Sequence, residues 1–119
     1  MSKLLINEYP LVVLPTLAVR IGLNEAIMLQ QIQYWISHPK SIEKEGRHWH
    51  FDTYGNWLLQ FPFWSLRTLT RVAKSLRDQR LVIAKAFRAQ FNDQTLWYTI
   101  DYEQVSKLEL AMTCAQVYE

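Results

Sequence analysis

The stretch from Phe61 to Leu81 constrains this chain more than any other. Ser65 is a good N-cap and stands directly before Leu66, Leu69, Val72, Ala73 and Leu76, which share one helical face. At about 100° per residue, Arg67, Arg71, Lys74 and Asp78 fall in a narrow sector opposite, with Thr70 beside them. Such a helix buries one side and offers three cations on the other.

Upstream, Thr53 can cap a short helix carrying Tyr54, Trp57, Leu58 and Phe61, and Pro62 cannot extend it by donating a backbone hydrogen bond. A short helix, an aromatic turn and a cationic second helix read as helix-turn-helix. Downstream, Leu81 to Phe87 is β-prone, Phe91-Asn92-Asp93-Gln94 is turn-like, and Thr95 to Ile100 is β-branched and aromatic. That adds a two-stranded wing. The fold class expected is α+β, mostly helical, a winged helix-turn-helix with a small antiparallel β-sheet.

At 119 residues, half of them apolar or aromatic, the chain fits one domain with a real core. The single cysteine, Cys114, excludes an intrachain disulfide. With no signal peptide and no bilayer-spanning apolar run, the expectation is a protein of a cytoplasm without a membrane partner. The net charge of +2 is unevenly shared. From Ser65 to Arg88 seven Lys or Arg face Asp78 alone, a local +6, while six cations against ten acids leave −4 elsewhere.

Before this region, Pro15 to about Ile21 reads as a short helix ended by Gly22. Asn24 then caps a stronger helix running to about Ser37, where His38-Pro39 stops it. Its apolar arc covers more than half the circumference, so the helix is either sandwiched between layers or shared with another subunit. Ile27, Met28, Leu29, Ile32, Trp35 and Ile36 are the residues a homodimer would use. Lys40 to Gly46 reads as a charged loop, and Arg47-His48-Trp49-His50-Phe51 alternates like a strand, with Trp49 and Phe51 on one side. Asp101 and Gln104 form a potential capping box for a last helix through Val105, Leu108 and Met112. The layout expected over 1–119 is N-terminal helices to 38, helix-turn-helix and wing over 47–100, and a C-terminal helix with no tail.

Leu4-Leu5-Ile6-Asn7-Glu8, the pair Leu14-Pro15, Ile21-Gly22-Leu23-Asn24-Glu25-Ala26-Ile27, Gln30-Gln31 with Tyr34-Trp35, and Phe61-Pro62-Phe63-Trp64-Ser65 carry a resemblance. Over roughly residues 4 to 101 the chain resembles phage and mobile-element winged-helix proteins, commonly described as replication or DnaD-like initiation proteins. The resemblance implies a DNA-binding head, often followed by a longer part that engages DNA or replication proteins. It transfers no catalytic residue. The expected setting is a bacterial host cell, and the chain is either a stand-alone binder or the head of a longer protein.

Placed immediately after the helix-turn, Ser65, Arg67, Thr68, Thr70, Arg71, Lys74 and Ser75 are the candidate contacts to double-stranded DNA, the alternative being the solvated face of an ordinary amphipathic helix. Arg can bind guanine edges in a bidentate manner, while Lys, Ser and Thr hold phosphates. Lys85 and Arg88 on the first wing strand can reach a neighbouring phosphate or the minor groove, or simply solubilise an edge strand. Asp78 should face Arg71, Lys74 or Arg77. The five tryptophans can stack on unpaired bases, although their spacing suits a core better. His48 and His50 share one strand face, as in the His-hydrophobic-His element of rolling-circle nickases, with Tyr54 as the available tyrosine. The bland alternative is a polar strand face. No phosphate-binding glycine loop, CxxC pair or nucleophile elbow is present, so a non-enzyme without metal or cofactor is expected. The alternative class is a protein-binding module that engages a host or replisome protein.

Overall fold

The computed structural model describes residues 10–85 and 96–116. The expected wing turn Phe91-Asn92-Asp93-Gln94 and the candidate contact Arg88 lie outside them. Helix α1 spans Pro15–Ile21, with its proline in the first turn, where the missing N–H costs nothing. Helix α2, Leu23–Ile36, follows after one residue. Gly22 serves both: its N–H donates to the Ala18 carbonyl and its own carbonyl accepts from Ala26 N–H, each at 2.9 Å. Asn24 is therefore not the cap but part of the first turn, because Gly22 already supplies the first carbonyl of the new helix. At φ +111° the corner favours glycine, and a Cβ there would sit 1.9 Å from Glu25 Oε2.

Four strands form one antiparallel sheet in the order β1-β2-β4-β3: β1 Ile42–Lys44, β2 Arg47–Asp52, β3 Val82–Lys85 and β4 Leu96–Ile100. The segment expected as a charged loop is in part the first strand of a hairpin. Its turn is Glu45–Gly46, both at positive φ (54° and 75°), the backbone that matches the twist of two paired strands. Between β2 and β3 lie α3, Tyr54–Gln60, and α4, Leu66–Asp78. Both caps are as the sequence reads: Asn56 N–H donates to Thr53 Oγ1 and Thr68 N–H to Ser65 Oγ, each at 3.1 Å. The last helix, α5, covers Tyr102–Gln116. Only half of its capping box forms, Gln104 N–H to Asp101 Oδ1 at 3.3 Å, since the Asp101 N–H is spent on the Leu81 carbonyl.

Helix α2 is the centre of the packing, touching α1, α4, β2 and β4. That is why its apolar arc is so wide. Met28, Leu29, Ile32 and Ile36 are buried in the chain's own core, and Ile27 and Trp35 pack against it. The surface expected for a homodimer is thus consumed internally; of the two readings of the arc, sandwiching between layers is the one observed. Leu69, Val72, Ala73 and Leu76 of α4 enter the same core with Trp57, Phe61, Tyr98 and Ile100. Leu66 departs from its expected place: at the first helical position it projects past the core and is 52% exposed. Among the described residues no helix is long and apolar enough to cross a membrane.

Candidate nucleic-acid interface

Burial of one side of α4 fixes what the other side presents. Arg67, Arg71 and Lys74 are all exposed, and neither Arg67 nor Arg71 has an ion pair among the described residues. Lys74 Nζ lies 2.9 Å from Asp78 Oδ2, an exposed pair one turn apart. Such pairs are worth about 0–1 kcal/mol and exchange readily for another anion. The cationic face therefore has two uncommitted guanidiniums at its N-terminal half and a weakly held ammonium further on.

The hydroxyls flanking this face are occupied locally. Ser65 Oγ accepts from Thr68 N–H and donates to Thr68 Oγ1 at 3.1 Å, so both side chains close the helix N-terminus. Thr70 donates back to the Leu66 and Arg67 carbonyls at 3.0 Å. Ser75 Oγ accepts from Gln79 Nε2 at 3.2 Å. Ser65 and Thr70 thus spend their hydroxyl protons within the helix, whereas Thr68 and Ser75 only accept in these bonds and keep a proton to donate to a ligand.

Lys85 is exposed on the border strand β3 and forms a surface ion pair with the β1–β2 turn. Its Nζ is 3.1 Å from Glu45 Oε2 and 5.9 Å from the centre of the Trp49 ring. The same sheet face carries Lys44 over Trp97 at 4.6 Å and Phe51 beside Trp97 at 4.9 Å. Trp49 and Trp97 are buried here, Trp57 and Trp64 are buried in the core, and Trp35 is half-buried. Stacking on unpaired bases has no exposed tryptophan platform among the described residues.

The two histidines of β2 do not act together. His48 Nδ1 meets Ser41 Oγ at 3.1 Å, while His50 Nε2 meets Asp52 Oδ2 at 3.1 Å. Among the described residues no group of three His, Cys, Asp or Glu is assembled for a metal. His50 instead belongs to a polar network that sequence reading missed. Gln60 Oε1 accepts from Gln31 Nε2 and from Trp35 Nε1, each at 2.8 Å, and Gln60 Nε2 donates to the buried Asp52 at 3.3 Å. Asp52 Oδ1 accepts from Thr53 N–H at 3.1 Å, and the Trp35 and His50 rings stack at 5.1 Å. This network pins α3, the first helix of the helix-turn-helix, to α2 and β2.

Two further cations, at the end of α4 and just beyond it, are not among the candidate contacts. Arg77 is exposed in the last turn, and Arg80 follows it in the left-handed conformation, φ 62°. The helix ends in a Schellman motif: Leu81 N–H donates to the Leu76 carbonyl at 3.1 Å and Arg80 N–H to the Arg77 carbonyl at 2.9 Å. The charge count included both arginines, but the positive φ carries no sequence signal, because this position normally holds glycine. Comparison with family models, curated proteins and solved structures returns no match to this chain.

Proposed function

We propose that this chain is a non-enzymatic duplex DNA-binding protein in which α4 enters the major groove. The observation that supports the reading is the pair Arg67 and Arg71, one turn apart, outward and without ion-pair partners near the N-terminal end of a helix whose opposite face is core. Arg offers a planar fork of donors that matches guanine O6 and N7, and helices entering the groove present this half to base edges. Lys74, exchanging Asp78 for a phosphate, adds affinity without sequence information. By the resemblance given above, the setting is replication initiation or transcription control of a phage or mobile element in a bacterial cytoplasm.

Binding to labelled duplex DNA across a salt series tests this. If five or so phosphates are neutralised, log affinity falls with log salt at a slope near about −4 to −5, from about 0.9 per contact. A flat response, or no binding, removes the reading. A second reading then takes its place, a module docking a host or replication protein. It is favoured by Leu59 and Phe63, which together with Leu66 expose apolar surface around the helix-turn.

A further inference from the structure

Helix α4 ends against the end of α1. Gln79 Nε2 donates to the Ile21 carbonyl at 3.2 Å, which sets Arg20 one residue from one side of this bond and Arg80 one residue from the other. Both guanidiniums are exposed, and neither is ion-paired among the described residues. Two carboxylates lie close by: Glu25 against Gly22, and Asp78, which pairs with Lys74. We propose that this junction is a second binding site for duplex DNA, taking the backbone phosphodiesters at the rim of the groove that α4 enters. The proposal rests on the DNA-binding reading above.

Reach favours this placement. Arg71 and Asp78, the last residue of α4, are seven residues apart, about 10 Å along the helix axis at 1.5 Å per residue, and Arg80 follows two residues on. The major groove is about 12 Å wide and 8.5 Å deep. A helix holding Arg67 and Arg71 at base edges therefore brings its C-terminal end out at the groove's rim, where phosphates line both sides. Guanidinium forks bind phosphate oxygens through two parallel N–H donors.

Arg80 also sits where an arginine is structurally unfavourable. The position after the C-cap is left-handed, which suits glycine and strains any residue with a Cβ. Favourable interaction with the helix dipole does not require the strained position, because Arg77 already provides a cation in the last turn. A strained residue retained at a surface points to use of its side chain.

The test measures anisotropy of a labelled random-sequence duplex over a salt series, with wild type, Arg20→Ala, Arg80→Gly and Lys107→Ala. Lys107 on α5, beside Glu103, removes the same charge away from the junction. Arg20→Ala and Arg80→Gly should each make the salt slope shallower by about 0.9. Lys107→Ala should leave it unchanged. Arg80→Gly should bind more weakly while raising Tm by about 2–5 °C, because glycine relieves the left-handed strain. Slopes equal to wild type for both arginine variants overturn the proposal and leave these residues as helix-end cations; a loss matched by Lys107→Ala overturns it as a net-charge effect. If Arg67→Ala and Arg71→Ala lose affinity while the junction variants do not, only this site falls. If wild type binds no duplex, the DNA reading falls with it.

Discussion

Replacing Gln60 by leucine should weaken the fold by about 2–4 kcal/mol without unfolding it, a loss built from the polar network on α3. The substitution nearly conserves volume but removes an oxygen that accepts two hydrogen bonds at 2.8 Å, from Gln31 and Trp35, and a weaker donor to Asp52 at 3.3 Å. Each good bond contributes about 1 kcal/mol net, and a buried group left without a partner costs about 1–3 kcal/mol. Gln31 is half-buried and can turn towards water; Trp35 is held in place by stacking on His50, so its Nε1–H is the group that pays. Asp52 keeps Thr53 N–H and His50, which limits its share. Against a typical domain stability of about 5–15 kcal/mol, the variant stays folded with a clearly lower urea midpoint. Equilibrium urea unfolding followed by circular dichroism gives the number. Gln31→Ala, which leaves the Trp35 bond in place, should cost about 0.5–1.5 kcal/mol. A Gln60→Leu protein within about 0.5 kcal/mol of wild type, the range of an inconsequential surface change, would refute the reasoning.

Arg67→Ala or Arg71→Ala should cost about 1–3 kcal/mol on a preferred duplex and relax preference at one or two base pairs, whereas Lys74→Ala should weaken all sequences alike; competition between selected and random duplexes reads the difference. Ile32→Asp should abolish the helical circular-dichroism signal, because Ile32 is fully buried within the chain, and a folded monomer would contradict the packing described here. Burial raises the Tyr98 phenol above its ordinary value, with Tyr54 adding to the shift. An unfolded tyrosine therefore releases its proton first, and stability falls as pH rises above about 10, by up to about 1.4 kcal/mol per pH unit. Trp57 approaches closely enough to ease that shift, yet neither the Tyr98 hydroxyl nor Trp57 Nε1 completes a hydrogen bond among the described residues. Tyr98→Phe should accordingly flatten the alkaline loss at little cost near neutral pH, and an unchanged alkaline unfolding profile would argue against it.

What the sequence makes legible here is what neighbouring residues decide. The Thr53 and Ser65 caps, the bounds of α1 and, Leu66 excepted, the buried face of α4 all depend on partners within one helical turn, and they are found where expected. The Lys74–Asp78 pair is of the same kind. Asn24 misleads because a glycine at positive φ starts α2 two residues earlier without using a side chain. The β1 hairpin escapes notice because Glu45, not an asparagine or aspartate, takes the first left-handed turn position. The broad arc of α2 is legible as apolar, but whether a sheet or another subunit covers it depends on where β2 and β4 arrive. The same limit hides the Gln60 network, whose donors lie 29 and 25 residues away in the sequence. For the interface, the exposed arginines follow from helical period alone, while the engagement of Lys85 by Glu45 bridges 40 residues and does not.

The hairpin at the start of the sheet also bears on how the protein behaves when concentrated. Strand β1 forms one border of the sheet, and an unpaired border is where a strand from another molecule can add and begin a stacked aggregate. Here that border is three residues long, Ile42-Glu43-Lys44, so an incoming strand finds little backbone to pair with. Glu43 projects into solvent midway along it, and pairing against that charge strips water from the carboxylate without a partner to replace it. The hairpin therefore closes off the aromatic strand β2, with Trp49 and Phe51, behind a short charged margin. Removing it would leave β2 as the border on that side, its longer aromatic ladder open to pairing with like molecules.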